Sequence, residues 1–294
     1  MRGLIINADG FGFTFGNNRA IREVLAHGAV KSVSVNANFP AAGEIQELAK
    51  AFPDVSLGIH WNLSVGPPVS DPASVRSLLG DDGEFANDSL RGRALMRRLS
   101  LSEVRRELEA QLDTLVGFGV QLTHWDSHQN RHILPGFFEV AVEVARSRGI
   151  RAGRSTSYHL LYRRPRMIRL AGGLARRPHR LVSRFLAARR SRALRRAGFR
   201  IPDYHVGIRP YGTGAEHALE AWRYLFMTLP KGVGCIAVHP GYPDDTLRKY
   251  SKMTSSRKRE AELLNGPAVG LAAASAGVEL VSYYDLLALG HGAD

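Results

Sequence analysis

The chain carries histidines and aspartates whose spacing suits a metal-assisted acid–base site. His60 lies in Gly58-Ile59-His60-Trp61-Asn62-Leu63, and His124, Asp126, His128 and His132 lie in the run from Thr123 to His132. Imidazoles suit zinc and its neighbours, and carboxylates complete such sites. A single histidine at a strand end is more often structural. Three within nine residues, with an aspartate among them, make a site the better reading. His124, Asp126 and His128 share parity, so along an extended strand they face one side. Asp9 precedes Gly10-Phe11-Gly12, whose glycines permit a sharp turn. That spacing is not a dinucleotide fingerprint, and a plain loop cap is the bland alternative for Asp9. His239 opens His239-Pro240-Gly241-Tyr242, which is either a tight turn or a rigidly held general acid.

These residues need a frame that brings them together. Leu4 to Ala8, Ser32 to Val35, Val55 to Ile59, Val120 to Trp125, Gly234 to Val238 and Val278 to Ser282 read as strands. Between them, Arg19 to His27, Ile45 to Ala51, Leu101 to Phe118 and Phe137 to Arg148 read as helices. The third is the clearest, with Val104, Leu108, Leu112 and Leu115 at helical spacing. Val65 to Phe85 reads as a long loop. The alternation implies parallel strands with crossover helices. Asp9, Asn36, Asn38, His60, Asp126, His128 and His239 then all follow strands. A closed parallel barrel gathers such ends on one face. That convergence is stronger than any one residue.

Composition narrows the classes. The chain has 294 residues, 44% of them hydrophobic, enough for a full core. An α/β barrel of ~250 residues commonly forms one unit, so the expectation is one barrel domain over 1–294 that includes an Arg-rich helical insertion at 158–200. The one cysteine, Cys235, sits in an apolar run and reads as core, not as a nucleophile. The N-terminus does not read as a signal peptide, and no run of ~18 apolar residues occurs. The expectation is a cytoplasmic protein, with the inner face of the membrane as a second location.

With these residues in place, the chain resembles the YdjC-like carbohydrate deacetylases, the group that includes chitooligosaccharide deacetylase and the hopanoid-biosynthesis-associated deacetylase. Asn7-Ala8-Asp9-Gly10-Phe11-Gly12 is similar to the family's Asn-Ala-Asp-Asp-Phe-Gly, and Gly58 to Leu63 to its Gly-Ile-His-Leu-Asn-Leu. Thr123 to His128 is similar to Thr-His-x-Asp-Ser-His. His239 to Tyr242, with Arg259, Glu262 and Leu263 downstream, resembles the C-terminal signature. The resemblance runs from Leu4 to about Leu287 and is weakest between Tyr158 and Arg196. It implies a distorted (β/α) barrel, TIM-like and NodB-related, and a metal-dependent hydrolase that removes an N-acetyl group from an amino sugar. By the same resemblance His60 and His128 bind a divalent ion of the zinc or magnesium class. Asp9 is the general base on the attacking water, and His239 protonates the departing amine. Asn62, Asp126, Tyr242 and Arg259 are expected to bind substrate.

Two positions depart from the pattern. The family's second aspartate, a metal ligand, is Gly10 here, and Asn130 replaces a histidine. Three outcomes stay open: Asp9 binds the metal as well, Asp126 moves in, or metal binding is lost. The last would leave a non-catalytic carbohydrate- or lipid-binding protein as the rival function. A phosphoester hydrolase is weaker, because no phosphate-cradling Gly loop with Lys is present.

The net charge of +13 is unevenly placed. Residues 151–200 hold sixteen arginines and no Lys, Asp or Glu, which leaves the rest of the chain at −3. Tyr162 to Arg200 reads as two short basic amphipathic helices on either side of Pro178. Arg163, Arg166, Arg177 and Arg184 would face an anionic membrane surface. A lipid-linked N-acetylated amino sugar would fit such docking. A solvated basic lid is the bland reading. Nucleic acid is a less favoured partner, since few aromatics interleave the arginines. A homo-oligomer stays open.

Overall fold

The computed structural model describes residues 1–157, 178–208 and 215–289. Eight strands form its centre: β1 (Arg2–Phe11), β2 (Ser32–Val35), β3 (Ser56–Trp61), β4 (His124–Ser127), β5 (Ala152–Gly153), β6 (Tyr204–His205), β7 (Gly232–Val238) and β8 (Glu279–Leu280). Their spatial order is β5-β4-β3-β2-β1-β7-β6, and each of these pairings is parallel. The ends of this path meet before β6. The Gly153 N–H donates to the Arg200 carbonyl at 3.0 Å, and the Arg200 N–H to the Arg151 carbonyl at 2.8 Å. The result is the expected distorted barrel, joined at this seam by the parallel bridge between Ala152 and Arg200.

β1 is the axis of the sheet. It pairs with β7 from Arg2 to Ala8, while its other contacts divide between β8 at Gly3–Leu4 and β2 from Asn7 onward. Leu4, Ile5 and Ile6 are all buried. A strand covered on both faces reads as a continuous apolar run instead of an alternating one. The β1–β2 register slips between Asp9 and Phe11, with Gly10 at φ +96° as the extra residue. Such a bulge re-aims the strand end beside a site. Gly12 follows at φ +80°, and a Cβ there would lie 2.4 Å from the Asn36 carbonyl oxygen.

Helices cover the sheet: α1 (Phe15–Leu25), α2 (Ile45–Ala51), α3 (Asn87–Leu95), α4 (Leu101–Gly117), α5 (Phe137–Ser147), α6 (Pro178–Arg196), α7 (Ala215–Thr228), α8 (Asp245–Tyr250), α9 (Ser255–Leu264), α10 (Ala268–Ser275) and α11 (Tyr283–Ala288). α4 starts where the Ser100 hydroxyl accepts the Glu103 N–H. Its apolar stripe Val104, Leu108, Leu112 and Leu115 is buried as expected. So are Glu107 and Gln111. The Glu107 carboxylate accepts the Val69 and Ser70 N–H groups at 3.0 and 2.9 Å, and Gln111 bonds both the N–H and the C=O of Asn62. The helix therefore shapes the loop that leaves β3.

Several boundaries differ from expectation: β1 runs on to Phe11, so Asp9 lies inside it and does not follow it. β3 runs to Trp61, so His60 lies inside it. β4 covers His124–Ser127 and not 120–125, because its partners on β3 begin at Gly58 opposite His124 and end at Trp61 opposite Ser127. The basic segment shows one helix of 19 residues from Pro178. Proline suits that first position, where its missing N–H has no partner to lose. The other expected helix, around Met167 to Leu174, lies outside the described residues. Among the described residues no helix is long and apolar enough to cross a membrane.

Candidate active site

A row of polar side chains crosses the inner face of the sheet near the strands' C-terminal ends. Asn7 and Asp9 share a face of β1. Asn7 Nδ2 donates to Asp9 Oδ1 at 2.7 Å and to Ser34 Oγ of β2 at 2.9 Å. Ser34 Oγ donates to Asp126 Oδ2 of β4 at 2.8 Å, and Asp126 Oδ1 holds His60 Nδ1 of β3 at 2.5 Å. Asp9, His60 and Asp126 are all buried.

The row ends on a residue that its sequence position does not advertise. Arg154 follows β5 and is 3% exposed. Its Nη1 donates to Asp9 Oδ2 at 2.6 Å, while Nη2 reaches both Asp9 Oδ1 and Asp126 Oδ2. Burial alone would raise the Asp9 carboxyl, but the Arg154 guanidinium, with His60 and His239 behind it, holds it well below the usual carboxylate range. Asp126 is lowered against burial in the same way, by Arg154 and then His60. Burial would in turn lower Arg154, yet the two carboxylates raise it well above its ordinary value.

His128 opens the turn His128–Ile133 just past β4, with its ring 5.6 Å from that of His60 and nearly perpendicular to it. His239 follows β7, and its Nε2 lies 3.8 Å from Asp9 Oδ2. Its backbone N–H donates to Glu260 Oε2 on α9 at 2.5 Å, which fixes the turn. Burial is the main cause that pushes His128 down to about 3 and His239 to about 4. Both imidazoles are therefore neutral at pH 7. Asp9, His60, His128, Arg154, His239 and Arg257 line one cavity of about 680 Å³.

The donor chemistry suits a divalent ion. Ligand atoms of Asp9, His60 and Asp126 lie within 4.8 Å of one another. His60 turns Nδ1 to a carboxylate, the usual way a metal-binding imidazole is oriented, so Nε2 is the nitrogen left for an ion. Asp126 then serves as the orienting partner of His60. His60 and the ionised Asp9 remain as the donors of that group free for an ion, with Arg154 competing for Asp9, and His128 lies beside them outside the group.

The other expected site residues fall elsewhere. Asn62 is fully buried. Its Nδ2 donates to Asn38 and to the Val65 carbonyl, and its Oδ1 accepts the Ser64 and Val65 N–H groups, so loop construction uses the whole amide. Tyr242 donates its hydroxyl to Glu23 and lies under Arg19, away from the cavity lining. Arg259 points outward on α9 as an exposed residue. Arg163, Arg166 and Arg177 lie outside the described residues, and Arg184 belongs to α6 without a described side chain. His124 and His132 are structural. His124 stacks on Tyr283 with ring centres 3.8 Å apart, and His132 Nδ1 meets the Ser127 hydroxyl at 2.7 Å.

A pH dependence of stability follows. His124, His132 and His205 are buried and each is pushed down to about 3, with burial as the first cause. The unfolded chain titrates near 6.5, so below that pH it binds protons the folded chain refuses. Stability is complete above pH 6.5 and falls as pH drops toward 3. Urea denaturation at pH 7.5, 6.0 and 5.0 should show a loss of at least about 1 kcal/mol per pH unit below 6. A flat profile would show that these histidines protonate in place.

Comparison with known proteins points the same way. A protein-family model described as YdjC-like protein matches residues 3–274. A carbohydrate deacetylase of Geobacillus stearothermophilus is 33% identical, over 97% of this chain and 98% of that protein. A chitooligosaccharide deacetylase of Enterobacter sp. (strain 638) is 29% identical, over 96% of this chain and 98% of that protein. A crystal structure from Enterococcus faecalis V583, named for cellobiose-phosphate cleavage, shares the fold with a TM-score of 0.74 at 24% identity. It covers 97% of this chain and 98% of that one.

Proposed function

We propose, from the premise that the chain belongs to the YdjC-like protein family, that it is a metal-dependent carbohydrate N-deacetylase acting on an N-acetylated amino sugar. The observation that carries this reading is the convergence of Asp9, His60, His128 and His239 on one cavity. Relatives along nearly the whole chain are named as carbohydrate deacetylases. His60, His128 and Asp9 would hold the ion, which when bound polarises the amide carbonyl and acidifies water. The rival reading, a binding protein disabled at Gly10, is less favoured, because neutral imidazoles and an ionised carboxylate still face the cavity.

The chain's own groups divide the proton work. Arg154 keeps Asp9 ionised and fixed in angle, which suits ion holding and water orientation and makes it a weak base. His239 is neutral at rest. The proton it delivers to the amine nitrogen is one it first receives from the attacking water, directly or across the 3.8 Å from Asp9. Water adds to the carbonyl carbon, the C–N bond breaks, and acetate and a free amine leave. Purified protein loaded with zinc or magnesium should release acetate from N-acetylglucosamine oligomers and lose that activity in chelator. No acetate from any oligomer, with the ion bound, would sink the deacetylase reading.

A lipid-linked sugar presented at an anionic membrane is the finer form of this reading. On α6, Ala187, Ser191 and Leu194 are buried against the body, while Phe185, Arg189, Arg192 and Arg196 share an exposed face. Phe185 is 62% exposed. Each basic residue near an anionic surface contributes roughly 1 kcal/mol, and the phenyl ring adds apolar burial. Flotation with phosphatidylserine-containing vesicles should carry the protein upward, and neutral vesicles should not. Failure to float with either vesicle would remove the membrane from the account.

A further inference from the structure

Arg257 of α9 lines the same cavity and is 3% exposed, yet its Nε and Nη1 have no hydrogen-bond partner. No ion pair within 4.0 Å joins it to a described carboxylate; Glu260, three residues on, instead meets His239. A buried cation without a partner is strongly unfavourable, and the groups beside it explain what is missing. A Cβ placed on Gly10 would lie 3.5 Å from Asn17 Nδ2, 3.6 Å from Arg257 Nη1 and 4.0 Å from Asn36 Oδ1. These are ordinary contacts, so there is room for a Cβ, although the φ of +96° strains any residue but glycine there. Asn17 Oδ1 and Asn36 Oδ1 are also buried without partners. Their amide nitrogens are committed to the carbonyls of Gly10 and His60, which fixes the amides' orientation.

We infer that the Gly10–Arg257 position is a receptor for a carboxylate supplied by the ligand, so that the preferred amino sugar carries an acid group. The guanidinium turns toward the cavity it lines and pairs with the incoming carboxylate, a charge-assisted contact that a neutral sugar cannot make. That the carboxylate rides on a sugar rests on the deacetylase reading; that the position takes a carboxylate does not.

Isothermal titration of the full chain with sodium glucuronate, sodium acetate and sodium chloride at matched ionic strength tests this. The expected result is saturable glucuronate binding at least tenfold tighter than acetate, with none for chloride. Binding should weaken at least tenfold in Arg257→Gln and in Gly10→Asp, where an internal carboxylate occupies the place. If Arg257→Gln does not fold, Gly10→Asp carries the comparison. Equal affinity for acetate and glucuronate would overturn the sugar-borne assignment and give the position to the released acetate. No saturable binding, or affinity unchanged in every folded variant, would overturn the receptor itself. A turnover arm separates the two readings. The ratio of acetate release from carboxylated over neutral N-acetyl sugars should fall at least tenfold in Arg257→Gln. No acetate release from either sugar would remove the deacetylase reading and leave the binding result standing. Active enzyme with no carboxylate binding would do the reverse.

Discussion

Arg154→Met should destabilise the protein by about 3–5 kcal/mol in chelator, the range for removing one partner of a buried ion pair. The change leaves Asp9 and Asp126 facing each other without their shared cation. The urea midpoint would report the loss. Arg154→Lys should rescue little, since an ammonium lacks the planar fork that spans two carboxylates. Divalent ions should restore part of the stability in Arg154→Met and less in the wild type, because the variant frees the carboxylate oxygens the guanidinium had occupied. Stability and ion affinity therefore move in opposite directions. Wild-type stability in Arg154→Met would mean that the ion triplet is not what holds these strand ends together.

The second large effect separates chemistry from structure. His239→Gln should lower acetate release about 10²–10⁴-fold, the usual contribution of a positioned acid–base group. Its ring is 30% exposed and stands 3.8 Å from Asp9, beyond hydrogen-bond distance, so the urea midpoint should stay within about 0.5 kcal/mol. Asp9→Asn should reduce release at least as much and also weaken the fold, because it removes one arm of the Arg154 triplet. Ion binding should survive in the first variant and fall in the second. Full activity in His239→Gln would show that the amine leaves without help from this imidazole.

The strand-end rule gathers Asp9, His60, Asp126 and His239 toward one end of the sheet, as the structure does, because alternation of strand and helix is written in apolar periodicity and a parallel barrel fixes what that alternation gathers. Arg154 obeys the same rule, since it follows β5, yet it was hidden. β5 has only two residues, too few to show a period, and Arg154 is one of sixteen arginines in a stretch whose charge reads as surface. The signal was local: an Ile-Arg-Ala-Gly-Arg run closing a helix-to-strand connection. Asn62 shows the opposite failure. Its motif sits beside His60, but side-chain amides build loops as readily as they bind sugars, and only the Gln111 and Val65 contacts decide which. Tyr242 and Arg259 follow His239 in a signature whose order along the chain says nothing of direction. Tyr242 turns to Glu23 and Arg259 to solvent.

The axis strand has a consequence for how the chain is made. β1 is made before the other strands, and one edge of it stays open until Gly232 to Val238 has been synthesised, since Arg2 pairs with Gly232 and Ala8 with Val238. At ordinary elongation speeds of about 5–20 residues per second that gap lasts on the order of ten seconds or more. Throughout it an Ile-rich strand offers unpaired backbone to any neighbour, the situation that favours aggregation and recruits chaperones. The strand that carries Asp9 is thus both the central strand of the cavity's sheet and a long-exposed edge of the nascent chain, and expression yield should depend on chaperone supply more than the finished protein's stability would suggest.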